Sequence, residues 1–427
     1  MHEHSQPMDL EEARQALFAQ VSAVSGVEQV ALSQAKGRIL AETVKAQLSL
    51  PPFPASAMDG YAVRQQDFAD AATFKVIGES LAGHPFHGAI GPGECVRIFT
   101  GAVVPQGADL IVLQETLAGE ETPADGRLEV RFEPQQISED YIRPIGNDAQ
   151  AGQALATPGD CLSPFLLGTL AAAGVTQICV YRPVLVGIFS SGDELVDPGV
   201  PPEELLLGQI YDSNSFTLAS LLQHLPVELV RLPRLADEPA AVASALSAAA
   251  KRCDLLITSG GVSVGDADFV GATIARLGEL AFWRLNLKPG KPLAFGKLGD
   301  CWIFGLPGNP VSTIVTCLLL VLPTLQVMCG TLPKPLLRVR AVLDSPVSHQ
   351  PGRAEYQRGI YQMSVRTGEH EDAAEQPALR VSHTGEQGSN RLSTFAGANC
   401  LIEIPKHCGD LAAGAVVDIL PLSDLLN

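Results

Sequence analysis

The chain has 427 residues, 46% hydrophobic and 18% charged, and its 47 acidic against 29 basic side chains give a formal charge of −18. That length exceeds what one core organises, so several globular domains are expected. So acidic a chain argues against a nucleic-acid partner, which needs clustered Lys and Arg, although a local basic pocket stays open. The opening "MHEHSQPMDLEEARQAL" has no charged leader followed by an apolar stretch, and the nine cysteines form no CxxC pair. The most apolar run, Ile314 to Met328, carries Pro323 and falls short of the roughly 20 residues of a bilayer span, so it reads as a buried helix. The expectation is a cytoplasmic protein with reduced thiols, no structural zinc and no membrane partner.

From Asp9 to Val24, apolar Leu10, Ala13, Leu17 and Val21 recur at helical spacing and predict an amphipathic helix. "LPPFPASAMDGYAV", Leu50 to Val63, is different: three prolines remove backbone donors and fix φ, so the run predicts a stiffened loop that presents Asp59 beside a glycine. Between about 46 and 145 the apolar runs are short ("FKVIGES", "CVRIF", "LIVLQET", "LEVRF") among frequent Gly and Pro, with Asp125-Gly126 a hairpin signal. These predict a β domain inserted into a helical one. Within it "FTGAVVPQGAD" sets Thr100 and Gly101 in a loop bounded by Pro105; taken alone it is an ordinary turn. A second helix is marked by Ser163 as cap, Pro164 in the first position, "FLLGTLAAA" and Gly174 as stop. The helical region is thus 1–45 with 146–180, and the insert is 46–145.

From 181 to 330 strand and helix alternate: "PVLVGIFSSGDEL", a helix in "SNSFTLASLLQHL" that Asp212 or Ser213 caps, "VELVRL", a helix in "PAAVASALSAAAKR", and "DLLITSGG". Short continuous apolar strands joined by helices predict a parallel sheet covered on both faces, with ligands at the carboxyl ends of its strands. Over 331–427, alternation at Leu337, Val339, Ala341 and Leu343 and the run "CLIEIP" predict a final small β domain, with Thr367 to Ala378 a solvated hairpin loop.

Several motifs sit at strand ends. In "LLITSGGVSVGDADFV", Gly260, Gly261 and Gly265 follow a strand and precede a helix near Asp268, an arrangement that suits either a phosphate or a plain tight turn. Asp266 and Asp268 would repel a phosphate unless a divalent cation such as Mg²⁺ lies between, and Asp268 alone reads as a helix cap. Glu194 in "SSGDEL" ends another strand on the same side of the sheet. "LKPGKPLAFG" sets Lys288 and Lys291 on a rigid turn, where an anion would relieve their repulsion and where surface lysines are the simpler reading. "GLPGNPVS" makes a stiff turn of Pro307, Gly308, Asn309 and Pro310, with Pro310 starting the last helix. Arg358 in "EYQRG" and Ser389 in "EQGSNRLST" are unremarkable singly, and His84 and His87 have no partner ligands at metal spacing.

In that order, "PPFPASAMDGYAV", "IFTGAVVPQGAD", "SSGDEL", "TSGGVSVGDADF", "LKPGKPLAFG" and "GLPGNPVS" resemble the molybdopterin molybdenumtransferase (MoeA) family, whose domain recurs in the E domain of gephyrin. The resemblance spans nearly the whole chain and is looser after Gly330. It implies an elongated homodimer: a helical linking region, an inserted β domain, a three-layer α/β molybdopterin-binding domain and a C-terminal small β-barrel. The implied reaction inserts molybdate into adenylylated molybdopterin with release of AMP, assisted by Mg²⁺ or a similar cation. Implied docking partners are a molybdopterin adenylyltransferase and cofactor-maturation proteins. By resemblance Lys288, Arg358 and Ser389 form a molybdate pocket with Lys291, and Pro307, Gly308 and Pro310 line its wall. Gly260, Gly261, Ser263 and Gly265 cradle the pterin phosphate. Glu194, Asp266 and Asp268 hold the cation, and Asp59 and Thr100 face the partner's α/β domain across the dimer. Asp148 and Asp237 match further functional positions. Two other readings are an adenylyltransferase acting on molybdopterin with ATP, and a gephyrin-like scaffold; the additional domains count against the first.

Overall fold

The computed structural model describes residues 7–68, 73–123, 126–133, 138–235, 238–261, 269–363 and 379–426. Its α/β unit is a six-stranded sheet in the order Val227–Arg231, Val184–Ser190, Leu255–Ser259, Cys301–Leu306, Pro292–Leu298, Glu279–Arg284. The first four strands are mutually parallel, as their uninterrupted apolar sequences predict. Pro292–Leu298 departs from the expected parallel arrangement and runs antiparallel to both neighbours. The cause is local: only Gly299 and Asp300 join it to Cys301, and a connection that short makes a hairpin, never a crossover.

The four central strands are buried on both sides, giving three layers. Val184, Val186 and Ile188 point to one face, packed with Leu218 and Leu222 of helix Asn214–Leu222 and with Val311 and Val315 after Pro310. Phe189 and Leu256 belong to the other face, under Val242 and Leu246 of helix Pro239–Ala250 and Ile274 of helix Phe269–Leu277. Period-2 alternation of strand side chains requires such a division.

The apolar run forms the buried helix expected of it, started by Pro310 and continuing through Pro323: Pro310–Thr316, a π-helical turn Cys317–Val321, then Leu322–Met328. Its 19 residues are long and apolar enough to cross a membrane by length and composition, yet 89% of that stretch is buried inside the protein. The π turn widens the ladder just before Pro323, where a proline otherwise breaks the i→i−4 pattern. Packed on this helix is the N-terminal helix Leu10–Gln20, shorter than the Asp9–Val24 span its periodicity predicts. It starts at a capping box between Asp9 and Glu12 and stops where Val21 turns extended. Its Leu10, Ala13 and Leu17 therefore join the α/β core, while the rest of the linking region forms its own small core around Leu40, Leu162, Leu170 and Val180. Ser163 Oγ accepts from Leu166 N at 3.2 Å to start helix Pro164–Ala172, as its cap-and-proline signature predicts.

The inserted sheet runs in the order Leu110–Leu113, Gly60–Val63, Glu94–Ile98, Thr73–Ser80, Glu129–Phe132, Leu117–Glu121. The C-terminal strands close into a ring: Ala354–Met363 pairs with both Leu379–His383 and Cys400–Ile404, and Val339–Leu343 and Val416–Pro421 complete the circuit. Closure removes free edges and buries Ala341, Leu343 and Ile402 inside a small barrel. Asp125 and the stretch Thr367 to Ala378 lie outside the described residues.

Candidate active site

Parallel register sets Ser190, Ser259 and Leu306 level with one another at the carboxyl edge of the sheet. Each strand then enters one of the loops singled out by sequence. Ser191 N donates to Ser259 O at 2.9 Å and Gly260 N to Leu306 O at 3.0 Å, so the three loops begin in contact. Gly260 has φ +93°, and a Cβ there would lie 2.6 Å from the Ser191 carbonyl oxygen, so glycine is required by both conformation and space. Asn214, at the start of its helix, donates to Ser259 Oγ at 2.8 Å and to the Gly308 carbonyl at 2.7 Å, tying the glycine loop to the proline turn. Thr313 Oγ1 donates to the Pro307 carbonyl at 2.6 Å and stiffens that turn from behind. Sequence reading missed Asn214; its signal was a polar triplet, Asp212-Ser213-Asn214, between a strand and a helix.

Glu194 stands exposed on the loop after Ser190, on the same sheet edge as Gly260 and Gly261. Gly192 turns that loop at φ +139°, with the Glu194 carboxylate so close that a Cβ on Gly192 would meet it at 2.5 Å. Ser263, Gly265, Asp266 and Asp268 fall within 262–268, and Asp237 at 236–237, outside the described residues. Among the described residues no three His, Cys, Asp or Glu side chains converge on a point that would hold a metal ion.

Lys288 belongs to a two-residue strand that pairs not with the α/β sheet but with Ala354–Glu355 of the barrel. A cleft of about 640 Å³ opens there, between the 288–292 turn, Ser312 and a wall of the barrel that includes Arg353, Gln357 and Ser389. Lys288, Lys291 and Ser389 all line it. Lys288 Nζ lies 3.0 Å from Glu355 Oε2, and Val311 N donates to the Ser389 carbonyl at 3.1 Å, fastening the barrel loop to the start of the apolar helix.

Arg358 does not join that lining, contrary to the expectation that it supplies a second cation to the pocket. Strand alternation explains why: Glu355 and Gln357 point into the cleft, so Tyr356 and Arg358 point away from it. The Arg358 side chain is fully buried. Its guanidinium donates to the carbonyls of Glu386, Gln387 and Gly388 at 3.2–3.3 Å and to Thr394 Oγ1 at 2.9 Å, while the Gln387 side chain accepts from Arg358 N at 2.8 Å. Burial pushes this guanidinium below its ordinary pKa, against the pull of the Glu355 charge. Arg358 therefore clamps the loop that carries Ser389. Arg353, which sequence reading passed over, is the arginine in the cleft.

The proline run is stiffened by its neighbours. Val104 N donates to the Pro54 carbonyl at 2.9 Å, Gly101 N to Ser56 O at 2.8 Å and Gly146 N to the Pro51 carbonyl at 3.0 Å. Asp148 N donates to Leu50 O at 2.8 Å, so Asp148 sits, exposed, at the root of the same run. At its far end Asp59 Oδ1 accepts from Thr100 N at 2.7 Å and from Thr100 Oγ1 at 2.8 Å, with Arg97 close behind. These bonds, the amide's foremost, hold the Asp59 carboxyl below its usual range although it is only half-buried. No described hydrogen bond or ion pair joins the Asp59–Thr100 pair to the lysine cleft.

The fold and these sites define a multidomain α/β protein with an anion-suited, glycine-lined strand edge, an open cationic cleft at the junction with a terminal barrel, and an acidic loop on an inserted domain. Comparisons with known proteins match each region of the chain. Residues 8–174 match the MoeA N-terminal region (domain I and II), residues 187–327 a probable molybdopterin binding domain, and residues 340–422 the MoeA C-terminal region (domain IV). A molybdopterin molybdenumtransferase of Haemophilus influenzae is 39% identical over 98% of this chain and 100% of its own length. Gephyrin of Dictyostelium discoideum is 31% identical over 94% of this chain, which spans 60% of that longer protein. A crystal structure of a molybdopterin biosynthesis MoeA protein from Pyrococcus horikoshii superposes with a TM-score of 0.76 at 27% identity, covering 97% of this chain and 99% of the other. The chain belongs to the MoeA family.

Proposed function

We propose that this protein is a molybdopterin molybdenumtransferase, which inserts molybdate into adenylylated molybdopterin and releases AMP and molybdenum cofactor. The observation that carries the reading is the segment 307–312. Its Gly308 lies against the Gly260 loop, a Cβ on Gly308 being 3.7 Å from Gly260 Cα, while Ser312, four residues later, lines the lysine cleft. A bound phosphate at the strand edge and an oxyanion in the cleft are thus neighbours across one stiff connection. A chain of charge −18 needs such local cations to gather two anionic reactants.

In this reading the loop of Gly260, Gly261, Ser263 and Gly265 cradles the pterin phosphate, its glycines letting the backbone approach closely. Lys288, Lys291 and Ser389 hold the tetrahedral oxyanion, two ammoniums and a hydroxyl suiting its charge and shape. The oxygen-only donors Glu194, Asp266 and Asp268 suit Mg²⁺ shared with substrate phosphates, and when bound the ion polarises the phosphoanhydride. Asp59 and Thr100 act across a homodimer, facing the partner's α/β edge, and the stiffness of the proline run keeps that acid in place. Asp148, at the root of that run, and Asp237 are further functional positions. A cytoplasmic location and docking of cofactor-maturation proteins complete the proposal. Adenylyl transfer from ATP is the weaker reading, since the flanking matches are to MoeA regions.

The test is direct. Purified protein is given adenylylated molybdopterin with and without molybdate, and separately molybdopterin with ATP. AMP release that requires molybdate is expected; pyrophosphate released from ATP with molybdopterin, and no molybdate-dependent AMP, overturns the reading.

A further inference from the structure

The lysine cleft contains a group that an oxyanion site should exclude. Glu355 lines its floor with a side chain only 4% exposed, against 45% for Lys288, whose Nζ it holds at 3.0 Å. Behind the carboxylate sits His349, fully buried, its Nε2 3.8 Å from Glu355 Oε2. The imidazole is wedged by two carbonyls, Cys408 O 3.0 Å from Nδ1 and Arg353 O 3.0 Å from Nε2. His349 therefore backs the carboxylate on its buried side, and Lys288 is its exposed cover.

An unpaired carboxylate is an acceptor only and repels a fully deprotonated oxyanion, so it must have a purpose or a cover. Counting lysine, arginine and carboxylate groups, the cleft has three cations, Lys288, Lys291 and Arg353, against one anion, Glu355. Two surplus positive charges match a dianion such as molybdate. A lysine ammonium has three N–H donors; one goes to Glu355 and two remain for the ligand.

We infer that Glu355 is a positioning residue that orients Lys288 and limits the cleft's hold on its oxyanion, so that the anion is captured and then given up for insertion. This rests on the cleft being the molybdate site proposed above. Without the counter-charge, the cleft retains its guest.

Full-length wild-type protein, Glu355→Met, Lys288→Met and the double variant are titrated with sodium molybdate by calorimetry, and insertion is followed by AMP release. Replacing both members of an ion pair whose acid is buried by apolar side chains of similar size strands no charge, so the double variant is expected to fold. Lys288→Met, which strands the carboxylate, weakens molybdate binding by about 100-fold, and adding Glu355→Met regains about tenfold of that loss. Glu355→Met alone binds molybdate about tenfold more tightly while kcat and the KM for molybdate both fall, a split that a purely structural role does not produce. A double variant no better than Lys288→Met, or a folded Glu355→Met that binds no more tightly than wild type, overturns the inference. If Glu355→Met alone does not fold, the comparison of Lys288→Met with the double variant decides. Wild-type protein that binds no molybdate overturns the cleft assignment as well; wild-type binding without rescue overturns only the role of Glu355.

Discussion

Asp59 takes both of its described donors, the amide and hydroxyl of Thr100, from a loop 41 residues away within one small domain, whereas Lys288 meets its partner Glu355 across the junction of two domains. The first site is a half-buried acid held in its charged form chiefly by neutral dipoles. The second is a partly exposed cation held by a buried acid, with a buried arginine behind the adjoining loop. Charge fixed by backbone loses little when its charge alone is changed, because the loop geometry persists. Charge fixed by buried counter-charge is coupled to packing, so a substitution there reaches stability and binding together.

The largest expected effect lies behind the cleft. Arg358→Ala removes a fully buried guanidinium that four acceptors share, taking that donor from the carbonyls of Glu386 and Gln387 and leaving Gly388 O with the Arg391 amide. A loss of about 3 kcal/mol in denaturant unfolding is expected, together with an insertion rate lowered by about 100-fold or more as Ser389 loses its place. Arg358→Lys restores little, since a single ammonium cannot span three carbonyls and a hydroxyl. If Arg358 instead touches the anion directly, molybdate affinity falls while unfolding stays unchanged, and the contrast between the two regions breaks down.

Asp59→Asn probes the other side. The asparagine carbonyl can still accept both Thr100 bonds, so the proline run and the melting transition stay as they are while the charge is gone. The insertion rate is expected to fall by about 100-fold, with molybdate affinity in the lysine cleft unchanged by calorimetry. Unaltered AMP release removes Asp59 from the chemistry and leaves the stiff loop as a purely structural feature.

What was legible in the sequence follows the same division. Loops whose shape is set by their own residues could be read: the proline run, Gly260 at a positive φ, and Ser163 with Pro164 at a helix start all announce their conformations through residue type. Helix and strand alternation gave the layered sheet for the same reason. Arg358 was misplaced because its facing depends on strand phase, and one residue of phase exchanges cleft for core. Glu355, His349 and Arg353 gave no signal, since their proximity to Lys288 arises only when a two-residue strand leaves one domain to pair with another. Asn214 lay between these cases: its polar neighbours were visible, but its bridge to Gly308 joins residues 94 apart.

The smallest effect sharpens the comparison most finely. Thr100→Val keeps the amide that donates to Asp59 and deletes the hydroxyl, so part of the stabilisation of the carboxylate is lost and its pKa rises toward the ordinary value. The sign for stability follows from linkage: a carboxyl whose folded pKa is depressed contributes above its unfolded pKa, and that contribution is lost as pH falls through the folded value. The wild-type contribution is therefore complete at neutral pH and disappears only on the acid side of the usual carboxylate range; in Thr100→Val it is smaller and lost at a higher pH. Carboxyl-carbon NMR titration of Asp59 measures the shift directly. At pH 7 Asp59 is ionised in both proteins, so any fall in AMP release there, expected at about tenfold or less, reports the aim of the carboxylate rather than its charge. A Thr100→Val protein with an unmoved Asp59 titration would mean that the amide alone holds the acid, and that the hydroxyl is free to meet substrate.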